Sequence, residues 1–363
     1  MPVPLFANSI DRYHDRIVAR LGEVARGGRW ILGPEVAAFE QEFAAYCGAR
    51  HGIGVANGTD AITIALRALG VQPGDEVVVP SFTFYASVEA AASMGAVPVF
   101  CDVDPETFCL TRESVEAAMT ERTRAVIAVH LFGYLAPVAE LRDLGVPVLE
   151  DAAQAHGAER NGTRAGTAGH VATFSFFPSK NLGAMGDGGA VVTSDDELAD
   201  RVRRLRFHGS TDKVTYTEVG YNSRLDELQA AVLRELLPEL DGWNDARRAA
   251  ARAYEEAGLA DAAGATLPHW DRERDHSFHL YVVRSEQADE LERRLGERGI
   301  GARGYYRRPV HLQPAMAEHG GAARYALPGT DEAARTHLAL PMGPLLDREA
   351  VDEVVAACAS GST

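Results

Sequence analysis

The sequence predicts an α/β fold in which a large domain, built on a mainly parallel sheet, is followed by a smaller α+β domain. Three observations carry that prediction. Between about residues 35 and 235, short β-branched runs alternate with longer Ala-rich segments of helical period. The runs themselves, EVVVPSF, VPVFCDV, RAVIAVHLF and VPVLED, leave no room for polar alternation and read as strands buried on both faces. After about residue 236 the alternation stops and a long charged helical segment begins.

Each element follows from local chemistry. The segments AITIALRALG and SVEAAASMGA both end in glycine, which suits the left-handed residue that closes a helix, so they read as crossover helices between parallel strands. In open α/β sheets the crevice outside the carboxyl ends of the strands holds the ligand, so polar residues that end the apolar runs are the first candidates for chemistry. Beyond residue 236 come the helix LPELDGWNDARRAAARAYEEAG and an Ala, Gly and Pro stretch that reads as a hinge. A strand (HSFHLYVVR), a helix (ADELERRLGERG), an aromatic and basic loop from Tyr305 to Gln313 and a closing helix (DREAVDEVVAAC) complete the chain. The expected division is a large domain over 1–236 and a small one over 237–363, with the amino-terminal segment packing on the small domain.

Composition bounds the function. The 363 residues carry a formal charge of −16, which opposes long-range attraction to nucleic acid or an anionic membrane, so a phosphate-bearing ligand must be held locally. Hydrophobic residues at 46% and charged residues at 24% describe an ordinary folded chain with material for a large core. No apolar run is long enough to span a bilayer and the amino terminus lacks a signal-peptide pattern, so the chain is expected in the cytoplasm. Cys47, Cys101, Cys109 and Cys358 lack the spacing of a zinc site and read as reduced core thiols; no metal is expected.

Four features carry chemistry, and together they point to one cofactor. In ATFSFFPSKNLGAMGDGGAVV, Lys180 lies between an apolar strand and a glycine-rich segment, where an amine can be desolvated and held while the backbone approaches a flat ring and its phosphate. In VPVLEDAAQAHG the strand ends in Glu150 and Asp151, and a carboxylate there can pair with a pyridine nitrogen and keep it protonated. In VANGTDAITIAL, Gly58 and Thr59 open a helix whose free N–H groups suit a phosphate, although Asn57 or Thr59 could serve only as a cap. Ser175, on the strand leading to Lys180, can add a hydroxyl. In PSFTFYASVEA the pair Phe84 and Tyr85 offers an aromatic face for stacking, or simply core packing. Pyridoxal phosphate (PLP) meets all four demands, with pyridoxamine phosphate as its aminated form.

These residues resemble one family, the DegT/DnrJ/EryC1/StrS sugar aminotransferases of fold-type I, over nearly the whole chain: LGPEVAAFEQEFAAYCG, NGTDA, PGDEVVVPSFTF, EDAAQAHGA, SFFPSKNLGAMGDGGA, GYNSRLDELQAA and PVHLQPA all share in it. The resemblance implies a seven-stranded sheet, Lys180 as the Schiff-base lysine, Asp151 as the partner of the pyridine nitrogen and Gln154 near the ring's phenolic oxygen. It implies Gly58, Thr59 and Ser175 around the phosphate with Asp60 beside them, and Phe84 as the stacking aromatic. Asn222 resembles an asparagine that reaches the phosphate from the neighbouring subunit, which implies a homodimer with shared sites. The loop RGYYRRPVHLQPA resembles the region that approaches the sugar nucleotide, which makes Tyr305, Tyr306, Arg307 and His311 substrate candidates, with Arg224 and Arg308 as cationic ones. It departs from the family's His-Tyr-Pro pattern at Gly304, Tyr305, Tyr306 and Arg307. His208 and His311 are as consistent with structural hydrogen bonding as with substrate contact.

The implied reaction moves an amino group, with glutamate as the expected donor, to C3 or C4 of a nucleotide-linked keto-deoxysugar, and the segment around Lys180 leans towards dTDP sugars. A family variant that deoxygenates has histidine in place of the lysine, which Lys180 disfavours. The alternatives are a PLP lyase or dehydratase on the same fold, a non-catalytic regulator that binds PLP or a sugar nucleotide, and an aminotransferase for a cyclic ketone or an aromatic amine precursor. The nucleotide, the sugar, the aminated carbon and the pathway are not written in the sequence.

Overall fold

The computed structural model describes residues 2–7, 10–271, 274–319 and 323–359. Seven strands form the central sheet: β1 (His51–Val55), β2 (Glu76–Pro80), β3 (Val97–Cys101), β4 (Thr123–Val129), β5 (Val148–Asp151), β8 (Val171–Ser175) and β9 (Gly189–Thr193). Between β5 and β8 lies a two-residue hairpin, β6 (Glu159–Arg160) with β7 (Thr163–Arg164). The order across the sheet is β1-β9-β8-β5-β4-β2-β3. The five strands β3, β2, β4, β5 and β8 pair in parallel, while β9 runs against both its neighbours. The expected α/β fold with a mainly parallel sheet is therefore observed, and the four apolar runs read as strands are β2 to β5.

Because strand side chains alternate faces, neighbours along one strand enter different cores. Val77 and Val79 join Ile127 and Val129 beneath the helices Gly58–Ala68 and Ala86–Ser93, whereas Val78 joins Val126 and Ala128 on the opposite face. Both faces are covered, which is why the sequence shows unbroken hydrophobic runs there. The glycines expected to stop the crossover helices, Gly70 and Gly95, have φ of 92° and 82°, the left-handed conformation that a residue with a Cβ adopts only with strain.

A further apolar cluster unites Ala250, Ala251 and Tyr254 of the helix Leu240–Glu256 with β10 (Tyr281–Arg284), β11 (His337–Leu340) and the closing helix Arg348–Ala359. Val3 belongs to this cluster and bridges Ile300, and Phe6 bridges Met342. Two elements differ from expectation. The long helix starts late, because Pro238 has no N–H and the residues Leu237–Glu239 form a 3-10 turn instead. The expected strand HSFHLYVVR is regular only over Tyr281–Arg284; upstream, Ser277 and Leu280 donate backbone hydrogen bonds to Gly133 and Phe132, just after β4. No helix among the described residues is long and apolar enough to cross a membrane.

Glu227, at the start of the helix Glu227–Leu236, holds the segment that begins the helix Pro34–Cys47. Its buried carboxylate accepts the backbone N–H groups of Gly33, Glu35 and Val36 at 2.7, 2.9 and 2.9 Å, at the start of the helix Pro34–Cys47. A helix start has N–H groups with no partner of its own, and this one is satisfied from far along the chain. Replacing Glu227 by Ala leaves all three donors buried and unmatched, so a loss of roughly 3 kcal/mol is expected. It is read as a fall in the thermal unfolding midpoint, with Glu227→Gln, which keeps one acceptor oxygen, falling less.

Candidate active site

A cavity of about 720 Å³ opens where the carboxyl ends of β5 and β8 face the start of the helix Gly58–Ala68. Its wall includes Gly58, Thr59, Asp60, Phe84, Asp151, Gln154, Ser175, Lys180, Tyr305 and Tyr306. Ten positions singled out from the sequence thus meet at one place, supplied by segments that are up to 248 residues apart, from Gly58 to Tyr306.

Lys180 sits in a tight turn after β8, where its N–H donates to the Phe177 carbonyl at 2.8 Å. The side chain borders the cavity and is otherwise enclosed. Burial pushes its amine down to about 8, and the Asp151 carboxylate opposes that fall without cancelling it. The next residue, Asn181, is an anchor. Its Nδ2 donates to the Ser277 carbonyl and to Asn244 Oδ1, both at 2.9 Å. Asn244 Nδ2 is itself used on the His156 carbonyl. Since the Asn181 amide nitrogen is fully engaged, its Oδ1 faces His279 Nδ1 at 3.2 Å, and that histidine nitrogen carries the proton. Burial, with the Lys180 charge second, keeps His279 neutral. Residues 277 to 279, on the stretch expected to be strand, are therefore part of the lysine's support.

Asp151 and Glu150 are adjacent carboxylates that the strand sends to opposite faces. Glu150 accepts N–H groups from Gly166 at 2.9 Å and Gly169 at 2.6 Å and a proton from His130 Nε2 at 2.9 Å; His130 Nδ1 accepts from Ala136 N, which fixes that tautomer. Asp151 faces the cavity instead. Its Oδ2 accepts from Ser87 Oγ at 2.6 Å and its Oδ1 from Ala153 N at 3.2 Å.

The helix start has the form of an anion cup. Asn57 Oδ1 accepts from Asp60 N at 2.8 Å, so Asn57 is the cap, and the N–H groups of Gly58 and Thr59 remain at the open end of the helix dipole. Glycine is needed at 58 for closeness: a Cβ there would lie 2.7 Å from Ser175 Cβ. Gln154 Oε1 accepts from Phe132 N at 2.6 Å, which turns its Nε2 towards the Tyr306 hydroxyl at 3.4 Å. Phe84, at 56% exposure, stands at the cavity mouth, whereas Tyr85 packs against the core.

Other positions lie elsewhere. Asn222 is exposed and bridges Phe207, and neither it nor Arg224 lines this cavity. The Arg307 guanidinium pairs with Asp289 at 3.0 Å and donates to the Ala334 and Arg335 carbonyls, so the carboxy-terminal elements engage it. His311 bonds Ser81 Oγ, Arg308 holds the Leu312 carbonyl, and His208 is exposed. The sequence reading missed Phe6, Thr83, Ser87, Glu89, Phe177, Asp187 and His279, all on the cavity wall. Ser87, three residues after Phe84, carried only the faint signal of a hydroxyl beside an aromatic pair; His279 carried none, since only folding brings it to Lys180.

Comparison with known proteins completes the picture. The profile of the DegT/DnrJ/EryC1/StrS aminotransferase family matches residues 11–359. The chain belongs to this family. It is 48% identical over 334 residues, 91% of the chain and 88% of the relative, to a dTDP-3-amino-3,4,6-trideoxy-alpha-D-glucose transaminase of Streptomyces venezuelae. A "pleiotropic regulatory protein" of Geobacillus stearothermophilus is 46% identical over 363 residues, covering 98% of the chain and 97% of that protein. The crystal structure of S. venezuelae DesV in complex with a ketimine intermediate superposes with a TM-score of 0.94 at 46% identity, covering 99% of this chain and 98% of that one.

As a DegT-family member the chain is an aminotransferase, and pyridoxal phosphate is the cofactor of that family. The residues present fit the group: a lysine amine of lowered basicity, a carboxylate positioned by two donors, an open helix start beside a serine, and an exposed aromatic ring at the mouth. The lowered basicity is measurable. Covalent capture of pyridoxal phosphate by the apoprotein, followed by absorbance, is expected to accelerate with a midpoint near pH 8, where the Lys180 amine loses its proton. A midpoint near the ordinary lysine value would show that burial does not act on this amine.

Proposed function

We propose that the protein transfers an amino group from glutamate to C3 or C4 of a nucleotide-linked keto-deoxysugar, with a dTDP sugar as the first candidate. The observation that carries this reading is the cavity that brings the Lys180 amine, the Asp151 carboxylate and the open helix start at Gly58 to one wall. The similarity to a dTDP-sugar transaminase supports the substrate class.

Each residue's task follows from its surroundings. Lys180 holds the cofactor covalently between turnovers and, when displaced, takes the proton from the substrate's α-carbon and returns it; a neutral amine near pH 8 is suited to both acts. Asp151, anchored at both oxygens, keeps a positive charge on the pyridine ring. When bound, the cofactor would supply an electron sink for the electron pair that the α-proton leaves behind. Gly58, Thr59, Asp60 and Ser175 form the phosphate end, Phe84 covers the ring, and Gln154 offers an N–H towards its phenolic oxygen. Tyr305 and Tyr306 are the substrate-facing residues of the small domain.

The substrate is anionic, yet among the described residues Lys180 is the lone Lys or Arg on the cavity wall, beside Asp60, Glu89, Asp151 and Asp187. Cations must come from outside this wall. Around the Lys180 loop, Phe177 and Met185 are exposed; Met185 N bonds Gln229, and Ile31 bridges Asp226, so the exposed side chains of Trp30, Ile31, Met185 and Leu228 are carried by segments in contact with one another. A monomer rarely leaves such a surface bare. A homodimer that covers it lets one copy's Asn222 and Arg224 reach the other's cavity. Arg307, held by Asp289 and the Ala334 and Arg335 carbonyls, and His311, held by Ser81 beside the central sheet, complete the proposed substrate side only by shaping the loop that carries Tyr305 and Tyr306.

The test offers glutamate and a panel of dTDP- and UDP-linked keto sugars to the holoenzyme and follows 2-oxoglutarate and amino sugar. Amino sugar is expected with at least one dTDP acceptor, and none from Lys180→Ala, which should fold normally. Asp151→Asn is expected to slow transfer roughly a hundredfold, the scale of removing a preorganised charge from a site. Water loss from the sugar without 2-oxoglutarate would instead mark a dehydratase, and covalent cofactor without transfer to any acceptor would mark a regulator.

A further inference from the structure

The hydroxyl groups of Thr83 and Ser87 serve no fold element that requires them. Ser87 is the second residue of the helix Ala86–Ser93, 1% exposed, and its N–H donates to the Phe84 carbonyl at 3.2 Å. Its Oγ lies 2.6 Å from Asp151 Oδ2 and 3.3 Å from Thr83 Oγ1. The direction of these bonds is forced. A carboxylate has no proton to give, so Ser87 donates to Asp151; its single proton is then used, and Thr83 is the donor to Ser87. All three side chains border the cavity. The remaining oxygen of Asp151 is fixed by Ala153 N, so both ends of the carboxylate are held.

We propose that Ser87, backed by Thr83, is a positioning residue that holds Asp151 as an oriented anion and so determines on which side of the Asp151 to pyridine contact the proton resides. The proposal rests on the reading of Asp151 as the ring-nitrogen partner. The physical reason is a competition between two states with the same number of protons. In one the ring nitrogen is protonated and Asp151 is ionised; in the other the proton has moved to the carboxylate and both are neutral. A hydroxyl that donates to the carboxylate stabilises the first more than the second, because an ionised oxygen is the stronger acceptor. Without it, Oδ2 is buried with a donor missing, and the proton moves towards the carboxylate. Because Ser87 is tied to the Phe84 carbonyl, the same turn that presents the stacking aromatic also sets the charge of the ring it covers.

The test uses holoenzyme reconstituted with pyridoxal phosphate labelled with 15N in the ring and reads the ring-nitrogen resonance by solid-state NMR at fixed pH, in wild type, Ser87→Ala and Ser87→Thr. Wild type and Ser87→Thr, which both keep the hydroxyl, are expected in the pyridinium range. Ser87→Ala is expected to move towards neutral pyridine, with cofactor affinity reduced about tenfold, the effect of one missing donor to a buried acceptor. Ser87→Cys, close in shape but a weak donor, should lie between, and it decides the matter if Ser87→Ala does not fold. A wild-type resonance in Ser87→Ala, or in Ser87→Cys if that variant alone folds, overturns the proposal and leaves Ser87 as packing. A neutral ring in wild type overturns the Asp151 reading itself, and this proposal with it.

Discussion

The parallel pairing of β5 with β8 is the constraint on which the site depends. Asp151 pairs with Thr173 in that register, two residues before Ser175 and a short turn before Lys180. A slip of one residue would turn Asp151 to the other face and Glu150 towards the cavity. The register is protected on the far face, where Glu150 is saturated by Gly166, Gly169 and His130. One buried carboxylate thus serves structure so that its neighbour can serve chemistry.

Around that pair, the supports come from both parts of the chain. Asn181 ties the lysine's turn to Ser277 and Asn244, and Ser277 Oγ reaches back to the Gln154 carbonyl at 3.1 Å. Residues adjoining those that carry the chemistry therefore carry the contact between the sheet and the carboxy-terminal elements. Irregular backbone over residues 276 to 280 is the structural counterpart, since a strand continued there would have kept these donors in a ladder.

The acidic character of the chain and an anionic ligand are reconciled by local geometry. Backbone N–H groups at a helix start attract phosphate without any net positive charge, and they are indifferent to a formal charge of −16 spread over the surface. Basicity at Lys180 is lowered by burial and not by a neighbouring cation: the charge that acts on it is that of Asp151, which works in the opposite sense.

Local chemistry was enough to read the sheet runs β2 to β5, the crossover helices with Gly70 and Gly95 at their ends, and Gly58, Thr59, Phe84, Asp151, Ser175 and Lys180 as site candidates, because those features depend on apolar runs, caps, glycine freedom and adjacent residues, whereas Asp60, Gln154, Tyr305 and Tyr306 came only through the family resemblance. It could not separate Asp151 from Glu150 by residue type, and it read 276–284 as one strand, since neither question has a local answer. Tertiary structure decided both. It also decided that Ser87 faces Asp151, that His279 lies with Lys180, and that Arg307 is engaged by Asp289, Ala334 and Arg335 while Asn222 and Arg224 lie off the cavity wall. Contacts between segments tens to hundreds of residues apart are set by how the layers pack, and no window along the chain contains both partners.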